Sequence, residues 1–86
     1  MTLPLFLDEA AIAPLIDMAD AIGCLEQAFR RWRDPGVVNM PRSRARPPQG
    51  VLNLMGAVDA AAGVYGHKSY FATPQSVRFH IALHST

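Results

Sequence analysis

Four basic side chains carry the clearest chemical signal in this sequence. Arg42, Arg44 and Arg46 alternate with small residues, and Lys68 is the single lysine among eight basic residues. If the arginine segment is extended, its three guanidinium groups project from one side, about 6–7 Å apart. A planar guanidinium binds a carboxylate or phosphate through two parallel hydrogen bonds, so this cluster could anchor an anionic ligand. The other interpretation is a solvated edge strand whose charges resist aggregation.

Lys68 lies in a strand-like segment, residues 64–71, that is rich in aromatic residues. A lysine on the interior face of a sheet can act as an acid, a base or a charge partner. A lysine that points to water does none of these. The segment alternates poorly between apolar and polar residues, so the pattern leaves both orientations open.

The histidines and the single cysteine give no comparable signal. His80 and His84 share a strand face, but four residues of extended chain separate them by about 13 Å, too far for one ion. No metal-ligand motif accompanies them or His67, so we expect no metal site. Cys24 lies within a helical pattern beside its apolar stripe, and we interpret it as a core residue rather than a nucleophile.

Composition narrows the class of protein further. The chain has 86 residues and a net charge of +1, which provides no electrostatic footprint for nucleic acid. No apolar run approaches the roughly 18–20 residues that span a bilayer, and the N-terminus lacks the features of a secretory signal. A single cysteine fits a reducing compartment. We therefore expect a cytoplasmic chain with neither nucleic-acid nor membrane partners, and no nucleotide-binding or self-contained catalytic motif is visible.

The N-terminal part of the sequence has the periodicity of helices. Residues 3–7 could form an opening strand, and Asp8 can then cap a brief helix. Asp17 can cap a longer helix whose apolar residues recur at spacings of three and four. They are Met18, Ile22, Leu25, Phe29 and Trp32. We expect this apolar stripe to pack on the domain's own sheet; the other interpretation is a partner-binding helix.

From residue 37 onward the pattern is typical of strands. Beyond the arginine segment, apolar runs occupy residues 51–55, 64–71 and 77–83, with a turn predicted over residues 57–63. The sequence therefore predicts one α+β domain over residues 1–86, with N-terminal helices packed on an antiparallel or mixed sheet of about four strands. The last strand would leave an open sheet edge, so we expect a homo-oligomer, a dimer or larger, joined through sheet edges.

The order of several short motifs resembles the N-terminal part of the ornithine cyclodeaminase / mu-crystallin family. The motifs are IDMADAI at 16–22, VVNMPRSR at 37–44, GVLNLM at 50–55, GHK at 66–68 and the strand at 77–84. Together they cover essentially the whole chain. Because each motif is short, the specificity lies in the ordered set.

The resemblance implies roles for four residues. Arg42 resembles the arginine that grips the substrate carboxylate, and Arg44 takes that role if the register slips by two. Lys68 resembles the active-site lysine. Met55 matches the methionine of a Met-Pro turn, although Gly56 stands where the family has proline.

Family members are NAD(P)-dependent enzymes, and the resemblance implies that residues 1–86 correspond to their substrate-binding and dimerisation half. The nucleotide loop and catalytic aspartate of the family have no counterpart in these residues. We therefore expect an oligomeric module that binds a small amino or keto acid and does not catalyse by itself, with no cofactor of its own. The alternative is one part of a split NAD(P)-dependent cyclodeaminase or imine reductase whose Rossmann domain is on another chain.

Overall fold

The computed structural model describes residues 3–86 and has an α+β fold, with two α-helices N-terminal to a five-stranded antiparallel sheet. This confirms the predicted fold class. The sheet has five strands rather than about four and is antiparallel throughout. The chain divides into two compact units, one ending at Trp32 and one running from Arg33 to Thr86.

The first unit contains α1 (Glu9–Ile12), a 3-10 turn (Ala13–Leu15) and α2 (Met18–Arg30). Both predicted caps are formed. The Asp8 carboxylate accepts a hydrogen bond from the Ala11 N–H at 2.8 Å, and the Asp17 carboxylate accepts one from the Ala19 N–H at 2.9 Å. The opening strand predicted at residues 3–7 was wrong, since these residues have no regular structure. An apolar run forms a strand only where a neighbouring strand pairs with it.

Helix α2 carries four of the five residues of the predicted apolar stripe, since the helix ends at Arg30 and Trp32 lies in the turn that follows. The stripe is exposed: 58% for Leu25 and 66% for Phe29. The Phe29 and Trp32 rings contact each other with their centroids 5.9 Å apart. Cys24 is also exposed, so its interpretation as a core residue was wrong. The neighbouring stripe is exposed as well, so helical periodicity alone did not predict burial here. The packing of α2 on the sheet stays a prediction.

The second unit is built on a meander of three nine-residue strands, β3 (Val51–Asp59), β4 (Val64–Ala72) and β5 (Val77–Ser85). Pairing with β4 continues to Asp59, so the turn predicted over 57–63 is shorter and occupies only residues 60–63. Two short strands, β1 (Val37–Asn39) and β2 (Ser43–Ala45), pair one after the other with β3. They form one edge of the sheet, and β5 forms the other.

A β-bulge separates β1 from β2. Asn39 lies opposite Ala57, whereas Ser43 lies opposite Leu54, so three residues of the edge segment face two residues of β3. Pro41 is the middle one of the three. Proline has no N–H to donate, so bulges and edge strands are where a sheet tolerates it. Because of the extra residue, Arg44 rather than Ser43 lies opposite Asn53.

Few side chains are withdrawn from solvent. Among residues 3–86 no apolar side chain is buried, and the one buried residue is Asn53, which is 4% exposed. Within the same residues, no helix is both long and apolar enough to cross a membrane.

We predict that Gly63→Ala lowers the free energy of unfolding by about 1 kcal/mol, because Gly63 ends the β3–β4 turn with a φ of +75°, a conformation that costs residues with a β-carbon. The nearest atom to an added Cβ is Thr86 Oγ1 at 3.9 Å, so sterics contribute little. Urea denaturation would measure the change.

Gly23→Ala is the matched control. Gly23 lies within α2 with nothing within 4 Å of an added Cβ, so alanine there stabilises the helix or leaves it unchanged. Equal effects of the two substitutions would contradict the conformational explanation.

Candidate functional site

One face of the sheet gathers the predicted site residues, and we call it the Lys68 face. Antiparallel partners project from the same face, so the register defines rows of side chains across the strands. One row consists of Arg44, Asn53, Tyr70 and Phe79. The adjacent row consists of Met55, Lys68 and Ile81. Three of the four predicted residues therefore share this face.

Two aromatic rings hold the half-buried Lys68 side chain over the sheet. Its Nζ lies 5.5 Å from the Tyr70 ring centroid and 5.7 Å from that of Phe79. The two rings contact each other at 4.8 Å between centroids. The negative faces of aromatic rings attract an ammonium group, and this interaction fixes its position without neutralising its charge. The structure leaves both orientations that the sequence allowed open, because Lys68 is half-buried by these rings while Ile81 on the same face is 69% exposed.

Asn53 orients Arg44. The Arg44 Nε donates a hydrogen bond to the Asn53 Oδ1 at 3.0 Å, and the Asn53 side chain is buried beneath it. A guanidinium has five N–H donors, and this bond uses one of them. The partners that hold Arg44 and Lys68 are an amide and two rings, so both cations keep their charge for a ligand.

The other two arginines of the cluster lie outside the paired strands. Arg42 is exposed in the bulge, where no strand pairing fixes it on the Lys68 face. Arg46 follows β2 and lines a cavity together with Arg44. Arg44, the fallback of the sequence prediction, thus occupies the same face as Lys68. The substrate-binding roles of Arg42 and Arg44 stay predictions.

The Lys68 face holds two open cavities. The first has a volume of about 300 Å³, and we call it the arginine cavity. It is lined by Arg44, Arg46, Val51, Asn53, Tyr70 and Ala72. The second, of about 390 Å³, is lined mainly by apolar groups, with Lys68 and Met55 at one end, and we call it the apolar cavity.

Met55 lies inside β3 and not in a turn. It is opposite Lys68, and the following residue, Gly56, is opposite His67. The Gly56 carbonyl accepts a hydrogen bond from the Met40 N–H at 2.9 Å. At Gly56, where the family has proline, strand pairing therefore continues.

The three histidines share the opposite face of the sheet. The His67 and His84 ring centroids are 6.5 Å apart, and His84 stacks on Tyr65 at 4.9 Å. The distance from His80 to His84 along β5 can be estimated from the sequence. It could not show that His67, on the neighbouring strand β4, lies beside His84. Within residues 3–86 no group of three or more histidine, cysteine, aspartate or glutamate side chains is arranged to hold a metal ion.

Sequence reasoning missed Asn53, Tyr70 and Phe79, which position the two cations. Asn53 offered one signal, as the single polar residue in an apolar run. Tyr70 offered another, because it lies two residues from Lys68 in the same strand and so shares its face, whereas only the β4–β5 register brings Phe79 to Lys68.

Searches against protein-family models, curated proteins and solved structures found no significant match. The family resemblance of the short motifs therefore stays a prediction.

We predict that Arg44 and Asn53 are energetically coupled. In a double-mutant cycle of Arg44→Ala and Asn53→Ala, a coupling of about 1 kcal/mol is expected, because each single change removes the same partly buried hydrogen bond. Chemical denaturation of the four proteins measures it. Additivity within about 0.3 kcal/mol would show that the bond does not hold Arg44 in place.

Proposed function

We propose that this chain is a substrate-binding and dimerisation domain of the ornithine cyclodeaminase / mu-crystallin type. In this proposal it binds a small carboxylate, an amino acid or keto acid, as an oligomeric module without catalysis of its own. The observation that carries the proposal is the presence of Arg44 and Lys68 on one sheet face, each held by uncharged groups.

The spacing of the two cations suits a small anion. Arg44 and Lys68 are two strands apart and one row apart, which separates their Cα atoms by about 12 Å. Both side chains are long enough to reach a ligand between them. The guanidinium would bind the carboxylate through two hydrogen bonds, and the ammonium would add a second positive charge.

Oligomerisation is supported by the exposed edge at β5. Within residues 3–86, β5 pairs with β4 alone. It also exposes large apolar side chains, including Phe79 at 59%, Ile81 at 69% and Leu83 at 72%. Two copies that joined their β5 edges would satisfy free backbone groups and cover part of this surface.

The sequence supports the absence of a bound nucleotide, because residues 1–86 contain no glycine-rich phosphate loop. Any hydride chemistry would come from groups outside these residues. A single, exposed and free cysteine agrees with the proposed cytoplasmic location.

The second candidate is a subunit of a split NAD(P)-dependent cyclodeaminase or imine reductase. The exposed apolar stripe of α2 favours it, because that stripe offers a docking surface for a Rossmann domain on another chain. An adjacent reading frame that encodes such a domain, and that forms a complex with this chain when the two are co-expressed, would favour this candidate.

We predict that carboxylate binding depends on both cations. Arg44→Ala and Lys68→Ala should each weaken the binding of amino or keto acids at least tenfold, an estimate based on a lost charge-assisted hydrogen bond. Isothermal titration calorimetry measures the affinity. Arg78→Ala is the control, since its strand partner Phe71 places Arg78 on the histidine-bearing face. Equal losses in all three variants would contradict the site.

We predict that Leu83→Glu converts the oligomer to monomers, because carboxylates introduced next to the β5 edge would repel each other across the joined strands. Sedimentation velocity at micromolar concentration measures the state. The matched control is Val38→Glu, which places the same charge at an exposed apolar position on the opposite sheet edge. A native chain that sediments as a folded monomer would contradict the proposed oligomer.

A further inference from the structure

The apolar cavity exists because one row of the Lys68 face has small residues at its centre. Ala57 lies opposite Gly66, and Gly66 lies opposite Leu83. The neighbouring row on one side contains Lys68, and the row on the other side contains Val64. The larger side chains of those rows form the walls of a groove whose floor is Ala57 and Gly66.

The depth of this groove is fixed by close packing of the backbone. A Cβ added at Gly66 would lie 2.5 Å from the carbonyl oxygen of Ala82, so β4 and β5 leave no room for a side chain there. The floor at Gly66 is therefore bare backbone. Ala57, by contrast, is exposed and open to substitution.

The groove is apolar along its length and has a cation at one end. Met55, Val64, Ile81 and Leu83 supply the apolar walls, with the amide of Asn39 at the β1 side. Lys68 lies at one end, next to the row of Arg44.

Asp59 lies at the other end of the groove, two rows from Lys68 and about 13 Å away along the strands. Its carboxylate accepts a hydrogen bond from the Ala62 N–H at 3.1 Å.

This charge arrangement selects one kind of ligand. A carboxylate head is attracted to Lys68 and Arg44, and an apolar tail removes the groove walls from water. A second carboxylate at the far end of the tail would lose its hydration against apolar walls that offer no cation in exchange. A polar tail would lose hydrogen bonds to water against walls that cannot replace them.

We infer that the ligand of the Lys68 face is a monocarboxylate with an apolar tail, whose head binds at Lys68 and Arg44 and whose tail lies over Ala57 and Gly66. This inference rests on the proposed carboxylate-binding function and narrows its ligand class. It also assigns Ala57 as the residue that sets the accepted tail length.

The test is an NMR titration of the full chain with acetate, pentanoate, octanoate and octanedioate. The expected affinity rises roughly threefold to fourfold for each added methylene until the groove is filled. Octanedioate, which has the same chain length as octanoate, should bind at least tenfold more weakly.

Ala57→Leu fills the groove without changing either cation and should weaken octanoate binding at least tenfold while leaving acetate binding unchanged. The matched control is Ala45→Leu, an exposed position on the opposite face, where Ala45 pairs with Leu52. Backbone amide spectra of each variant establish that it is folded before it is titrated.

The outcomes separate the two proposals. Affinities that do not change along the series overturn the inference about the tail and leave carboxylate binding intact. An absence of binding by every acid overturns both. Octanoate binding that survives both Lys68→Ala and Ala57→Leu identifies general adhesion to apolar surface and overturns the inference as well.

Discussion

The bulge at residues 40–42 decides which side chains can cooperate on this sheet. Without its extra residue, the edge segment would present Ser43 opposite Asn53 and turn Arg44 to the face that carries the histidines. Because side chains alternate with a period of two, a shift of one residue moves a whole strand's set from one face to the other. Pro41 suits this place, since an interruption of the pairing is where a missing N–H costs least. The candidate site depends on this register.

A second constraint is the near absence of buried side chains. Among residues 3–86, Asn53 alone is buried, and its amide oxygen is used to hold Arg44. The second unit is therefore held together mainly by backbone pairing between strands. The faces of the sheet and its β5 edge leave large apolar side chains exposed. A small domain that buries little apolar area has limited stability on its own, and association is the common way to bury more. The proposed oligomer and the proposed ligand would both cover apolar side chains of this surface, Ile81 and Leu83 among them.

Local signals in the sequence were sufficient for many elements. Asp8 and Asp17 mark helix starts because a short carboxylate can accept hydrogen bonds from the first turn, and both do so in the structure. The β4 and β5 strands follow from apolar runs bounded by glycine and proline. The strand expected at residues 3–7 did not form, since an apolar run carries no information about whether a partner strand is near it. Cys24 is exposed for a similar reason, because burial depends on neighbours that helical periodicity does not identify.

The sequence by itself determined the fold class, the helix caps, the strands of the meander and the chemical types of the site, arginine and lysine. All of these depend on interactions between residues close together in the chain. Only the tertiary structure decided that Arg44 lies on the Lys68 face, and that Phe79 and Asn53 help to hold the two cations. These relations depend on register between strands. Register is set by a bulge and by backbone pairing summed over many residues, and no single local pattern encodes it.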